Sequence, residues 1–405
     1  KLNGVFISNL YARSASNAKV IASATIAIAV SILGFVVAPV LADISEEFLK
    51  FRMPYDLMIN NSYRYIDKKS DIPHIDFSFV NRILNEHGIK ESEICQQEGY
   101  FVLASNFENM ETRDNKWDMP RLAVSLSDYN QMRKMAGLSP IELAEDEFAL
   151  QASNEIDTES MKAKIEAADH EITLDNGQKI KLSENNDAVG EYLYNFGNST
   201  SFIFPDSICE NLDIATTCYY VNTVETIPIS ICNKIEDEIK KEFRDEYTIL
   251  YSKYETKYQS DKDYQDFIEP IRFVTQEKNA VKLNSVCMRL LGVYIGVIFF
   301  VICLTALSLQ QLSDAENNKK QYGIMYKLGV EKSDIYKLIR KQISMFFAVP
   351  CFLAISGACV GIYVFMIRFG HKIVAYIGTK DFMLNIAIAI AMLLIIFVTY
   401  FIGTI

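Results

Sequence analysis

The chain has eight cysteines and four histidines. These are the residues that would hold a metal or serve as nucleophiles, and their spacing supports neither role. No Cys-x-x-Cys pair occurs, no His-Glu-x-x-His occurs, and the histidines form no ligand-spaced cluster. A phosphate-cradling G-x-x-x-x-G-K-[ST] loop is absent too. No catalytic residue and no metal ligand is therefore assigned. The stretch that does carry chemistry is "KKQYGIMYKLGVEKSDIYKLIRKQISMFF", Lys319 to Phe347, and its chemistry is docking. The pattern predicts a helix stopped at Gly329 and a second one starting with Ser333 as N-cap. Ile335, Leu338, Ile339 and Ile343 recur at helical spacing as an apolar stripe. The tip, Tyr326 to Ser333, should protrude. Ile324, Met325 and Leu328 then lack a core of their own and call for a partner protein or, alternatively, the membrane surface.

The elements that must position this hairpin are apolar. Four segments reach the roughly 20 residues a bilayer requires: 20–42, 286–309, 343–367 and 382–405. The first is too long for the apolar core of a signal peptide. Residues 1–19 precede it as an arm in which Val5, Phe6, Leu10 and Tyr11 share one face, as in an interfacial helix. Charge is segregated: Asp43 to Ser285 holds 46 acidic and 26 basic residues, the rest of the chain 5 and 14. Residues 310–342 are rich in Lys and Arg, while 368–381 carry only Arg368, Lys372 and Lys380. The positive-inside rule places the arm and the basic hairpin in the cytoplasm and 43–285 outside. The predicted fold class is an α-helical membrane protein with four transmembrane helices. A large mixed α/β extracytoplasmic domain lies between the first and second, and 368–381 form a short outer loop. The chain begins at Lys1 and ends inside an apolar run, so it is expected to be part of a longer polypeptide.

In the outer domain, "EGYFVLAS", "RLAVSL", "TSFIFP" and "TCYYVNTV" read as strands. Asn176-Gly177 in "ITLDNGQKIKL" predicts a tight hairpin turn. Helices are predicted over Phe77–Glu86, over "SDYNQMRKMAG" with Ser127 as N-cap and Gly137 as stop, and from about Ser230 to Lys257. No Gly or Pro falls between Pro270 and Gly292. The helix from Gln276 is therefore expected to run unbroken through the second membrane segment. Cys95, Cys209, Cys218 and Cys232 are external on this reading, and four cysteines allow three pairings. Cys287, Cys303, Cys351 and Cys359 read as small packing residues. Gly357 and Gly361 form a GxxxG pair for close helix contact, within the bundle or with a second copy, and Pro350 is expected to kink its helix.

The stretch "LQQLSDAENNKKQYGIMYKLGVEKSDIYKLIRKQISMFFAVP" resembles the signature region of FtsX-like ABC transporter permeases. The order of four spans with a large domain after the first fits that family as well. "SLSDYNQMRKMAGLSPIELAEDEFAL" and "FIFPDSICENLDIATTCYYVNT" are similar to the bacitracin-resistance-type (BceB-like) peptide-antibiotic permeases. The resemblance implies that Tyr322, Ile324, Lys327, Leu328 and Gly329 form an ATPase-coupling loop. Gln321 departs from the Glu that many members carry nearby. It further implies a non-enzymatic permease subunit in a bacterial plasma membrane. ATP and Mg would be held by a partner ABC ATPase, a homodimer, and this chain would hold no cofactor. Further implied partners are a membrane histidine kinase, a peptide antibiotic or lipid-linked cell-wall intermediate, and membrane lipids, with no nucleic acid. Two rival readings are an ATP-driven signalling device that regulates a cell-wall hydrolase or kinase, and a macrolide- or lipoprotein-export permease.

Overall fold

The computed structural model describes residues 18–61, 66, 69–102, 122–152, 171–174, 176–184, 193, 200–258, 266–268 and 270–404. The amphipathic arm predicted at Val5, Phe6, Leu10 and Tyr11 lies outside the described residues. The chain divides into two compact units, one of residues 48–281 and one of residues 1–47 with 282–405.

The first unit is built on a mixed sheet. Its strands are β1 (Leu57–Asn60), β2 (Glu91–Phe101), β3 (Leu122–Ser125), β4 (Glu147–Ala152), β5 (Glu171–Thr173), β6 (Lys179–Leu182), β7 (Thr200–Phe204), β8 (Ile214–Thr223) and β9 (Ile271–Phe273). Among the described residues the strand order is β5-β6-β4-β7-β3-β2-β8-β1-β9. The β3–β7 and β4–β6 pairs are parallel and the others antiparallel. The central strand β8 is buried from Ala215 to Val221, as expected of a strand with a neighbour on each side.

Helix α2 (Ser78–Glu86) lays Phe79, Val80, Ile83 and Leu84 on the core. Beside it runs α5 (Ile229–Glu246), which buries Cys232, Ile235, Ile239 and Phe243. Helix α3 (Leu126–Met135) starts two residues earlier than the sequence suggested. Its cap is Ser125, whose Oγ accepts the Asp128 N–H at 3.2 Å, and Ser127 sits inside the first turn. The hairpin β5–β6 also differs from a two-residue turn. Leu174 and Gln178 still pair, and Gly177 closes the connection at φ +80 with its N–H on Leu174 O at 2.9 Å. That wider loop places its left-handed residue third, where glycine costs least. The remaining helices of this unit are the short α4 (Asp206–Cys209) and α6 (Thr248–Tyr258). Cys95, Cys209, Cys218 and Cys232 are buried free thiols, so none of the three pairings is formed. Burial pushes the Cys95 thiol up to about 12, which removes its reactivity as a thiolate.

The second unit is helical. Helix α1 (Ala18–Arg52), α7 (Val274–Lys327), α8 (Lys332–Lys372) and α9 (Thr379–Thr404) are each long and apolar enough to cross a membrane. Helix α7 is unbroken over 54 residues, about 80 Å at 1.5 Å per residue, and α1 and α7 each contribute residues to both units. The segment 368–381 is not a loop. Helix continues to Lys372, a π-helical turn follows over Ile373–Ile377, and Gly378, at φ +82, alone separates it from α9.

The closest helix crossing does not use the GxxxG pair singled out above. A Cβ at Gly357 would meet nothing within 4 Å, while one at Gly361 would sit 3.0 Å from the Leu33 side chain. The tight contact is α1 on α7, where a Cβ at Gly292 would fall 2.3 Å from Ala38 Cβ and 2.9 Å from Gly34 O. Gly296, four residues on, presses against Phe35 in the same way. The same helices share a polar cluster. Arg289 bonds Asp43 at 2.6 Å and Glu46 at 2.9 Å, and Asn385 of α9 donates to the other Asp43 oxygen at 2.6 Å.

Two predictions follow from these contacts. Gly292→Leu should cost about 3 kcal/mol or more, because backbone stands where its side chain must go, whereas Gly357→Leu should leave thermal stability in detergent within about 0.5 kcal/mol of wild type. Equal midpoints for the two variants would contradict this packing. The second concerns Asp128, whose carboxyl is pushed up to about 6, chiefly by burial, with Asp206 and Glu98 adding repulsion and hydrogen bonds from Ser125 and the Glu98 backbone opposing. A carboxyl raised on folding stabilises fully below its unfolded pKa, and that contribution is lost as pH rises through about 6. Asp128→Asn should therefore show a smaller fall in melting temperature than wild type between pH 4 and pH 6.5. Parallel curves would show that Asp128 titrates normally.

Candidate functional site

The last turns of α7 and the first of α8 form a helical hairpin whose turn is short and fully specified. The Gly329 N–H bonds Tyr326 O at 3.1 Å, and the Val330 N–H bonds Met325 O at 3.2 Å. These are the two bonds of a Schellman cap, with Gly329 at φ +87 in the left-handed position it requires. Helix α8 then begins at Lys332. Its N-cap is Glu331, two residues before the Ser333 expected from sequence. Asp334 N–H and Ile335 N–H both bond Glu331 O, while Ser333 Oγ only donates to the Glu331 carboxylate at 3.2 Å.

Inside the hairpin, Ile335 and Leu338 are buried, and Ile339 and Ile343 are half-buried. Tyr322 does not point outward with the other residues assigned to coupling. Its hydroxyl donates to Gln342 Oε1 at 2.8 Å, pinning one helix to the other. Met325 is half-buried as well. What the hairpin presents is Ile324, Tyr326, Leu328 and Tyr336, with Leu328 the most exposed of them at 79%. Lys327 is exposed beside Leu328. Lys332 lies 5.3 Å from the Tyr326 ring centre, a cation–π contact that adds positive charge next to the apolar tip. Asp334 partly offsets Lys337 at 3.4 Å.

The five assigned residues thus divide by role. Ile324, Lys327 and Leu328 form a protruding apolar and cationic tip, Gly329 sets the turn, and Tyr322 braces the base. Tyr326 and Tyr336 belong to the exposed face and were not singled out from sequence. Their signal was available, since Tyr326 lies three residues before the glycine stop and Tyr336 next to Ile335, off the apolar stripe of the second helix. The tip suits a partner that offers an apolar pocket rimmed by acidic groups. Among the described residues no group of three or more His, Cys, Asp or Glu is placed to hold a metal ion.

Comparison with family models and with curated proteins found no match to this chain.

Tyr322→Phe removes the brace while keeping the ring. It should weaken the hairpin by about 1 kcal/mol, seen as severalfold faster amide exchange over Tyr322–Gln342 in detergent, with the four long helices unchanged. Exchange at the wild-type rate would mean the Tyr322–Gln342 bond does not hold the hairpin closed.

Proposed function

We propose that this chain is the membrane permease subunit of an ABC transporter of the FtsX-like kind, and that the hairpin tip around Leu328 is where a separate ATPase grips it. The observation that supports this best is the hairpin itself. A Schellman turn holds Leu328 and Ile324 exposed on a basic surface between two helices long enough to cross a membrane. Apolar side chains held out by a rigid turn are costly in water, and their exposure is explained by a partner.

On this reading the hairpin and arm are cytoplasmic, and the acidic sheet domain lies outside a bacterial plasma membrane. The charge distribution supports that orientation through the excess of Lys and Arg around the hairpin. Helix α7 supplies the mechanical link. Its first residue, Val274, belongs to the hydrophobic core of the sheet domain, Val281 packs against that core, and its last turns form the hairpin. ATP-driven closure of the partner would move the tip, and a helix with no break would carry that displacement along its length. The cargo class is a peptide antibiotic bound to a lipid-linked cell-wall intermediate, and a membrane histidine kinase would read the conformational state. This last step rests on the sequence resemblance alone.

The test is co-purification of the full-length protein in mild detergent, with the partners identified by mass spectrometry. A polypeptide carrying the G-x-x-x-x-G-K-[ST] loop should be recovered with wild type. It should be lost, by at least about tenfold, from Lys327→Asp/Leu328→Asp, since a buried unpaired charge at an interface costs several kcal/mol. Recovery of the ATPase with that double variant would overturn the assignment of the tip. Absence of any ATPase from wild type would overturn the permease reading itself.

A further inference from the structure

A cleft of about 880 Å³ opens where α7, α8 and α9 diverge toward the hairpin end of the bundle. Its walls are largely aliphatic, including Leu312, Ile343, Ile395 and Ile396. Among its polar wall residues, Thr305 and Thr399 bond carbonyls of their own helices, but Gln311 does not suit such a place. Gln311 is only 7% exposed, and its amide nitrogen has no hydrogen-bond partner. An unsatisfied buried donor costs about 1–3 kcal/mol, so its retention calls for an acceptor. The terminal torsion of a glutamine is soft and roughly two-fold, so a small rotation turns that NH₂ into the cleft.

The surroundings define the acceptor. With the four long apolar helices placed across a membrane, the mouth would meet acyl chain rather than water. Toward the hairpin the helices carry lysine and arginine, with Asp314 and Glu316 on the same stretch of α7. Lys319 lies four residues beyond Ala315, which lines the cleft, and Arg340 three residues before Ile343, so each is about one turn nearer the tip on the same face. Both are exposed, and the bond Lys319 makes to Glu316 is a loose surface pair at 3.7 Å. An aliphatic slot, then one buried donor, then two cations match the order of groups along a phospholipid: acyl chain, ester carbonyl, phosphate.

We infer that this cleft is a binding site for one anionic phospholipid. Its acyl chain lies against Ile343, Ile395 and Ile396, an ester carbonyl accepts from Gln311, and the anionic headgroup faces Lys319 and Arg340. The inference rests on the membrane placement of the four helices but not on the ATPase partner. Bound there, the lipid would fill the gap behind the hairpin and stiffen the junction from which it projects.

The test uses the full-length protein exchanged into nanodiscs of equal phosphatidylglycerol and phosphatidylcholine. It is then re-extracted, washed, and its retained lipid is counted per chain. Wild type should keep phosphatidylglycerol in preference. Gln311→Leu should lower that retention by about threefold to tenfold, as loss of one hydrogen bond predicts. Lys319→Gln/Arg340→Gln should abolish the preference for phosphatidylglycerol while altering total lipid less. Ala315→Trp, which fills the slot, should remove the retained lipid even if Gln311→Leu does not fold. Unchanged retention in Ala315→Trp and in the double variant would overturn the site. So would a photoreactive group at Leu312 that crosslinks to polypeptide instead of lipid. A chain that fails to float with vesicles would overturn the membrane placement, whereas one that floats but retains no phosphatidylglycerol would overturn the cleft alone.

Discussion

A helix bends sharply only where a residue breaks its hydrogen-bond ladder or its side-chain packing, and from Val274 to Lys327 nothing does. The nearest prolines are Pro270 and Pro350, both outside it. The glycines within that span are not hinges by default. Gly292 and Gly296 are the positions at which α1 presses closest, with Ala38, Gly34 and Phe35 filling the space a side chain would take. Two of the three residues that would make α7 softest are thus held from outside, while the third, Gly323, stands in open space within the hairpin. The continuity of α7 determines where the hairpin can sit, where the polar cluster at Arg289 must form, and which helices can approach.

The hairpin follows the same logic on a smaller scale. Two helices that leave a bundle lose the neighbours that stabilised them, and short isolated helices are marginal in water. Three devices replace those neighbours: the Schellman bonds at Gly329, the buried pair Ile335 and Leu338, and the Tyr322–Gln342 bond. With the base braced in this way, Leu328 and Ile324 remain exposed without collapsing onto the hairpin's own core. A docking element needs that combination, because a tip that folded back on itself would have no apolar surface to offer.

Much of this was legible in the sequence because the signals were local and redundant. Twenty-residue apolar runs, a glycine after a helical pattern, and the stripe at Ile335, Leu338, Ile339 and Ile343 each specify one outcome. The failures share a cause. Ser127 and Ser333 are good caps by type, but Ser125 and Glu331 hold those positions: Ser125 is the last paired residue of β3, and Glu331 follows directly on the Schellman turn at Gly329. β1 and β9 are three or four residues long and carry almost no period, so they exist only by pairing across the sheet. Of β2 only the end, from Glu98, was read as strand; its first part, Glu91 to Gln97, was hidden by polar residues such as Gln97, which a strand can bury only when the rest of the sheet covers it.

The glycines of the helical unit show the limit most clearly. Gly357-x-x-x-Gly361 and Gly292-x-x-x-Gly296 are the same motif, and composition gives no reason to prefer either. The structure uses the second pair fully and the first by half, because close approach depends on which face of each helix meets α1. That face is set by the polar contacts nearby. Arg289 lies three residues before Gly292, about one helical turn, and bonds Asp43 and Glu46 on the continuation of the α1 surface that carries Gly34 and Ala38. A charge-assisted pair of this kind resists separation, so it acts as a rotational key. Once Arg289 and Asp43 are joined, Gly292 faces α1, and the two helix backbones come within reach of each other.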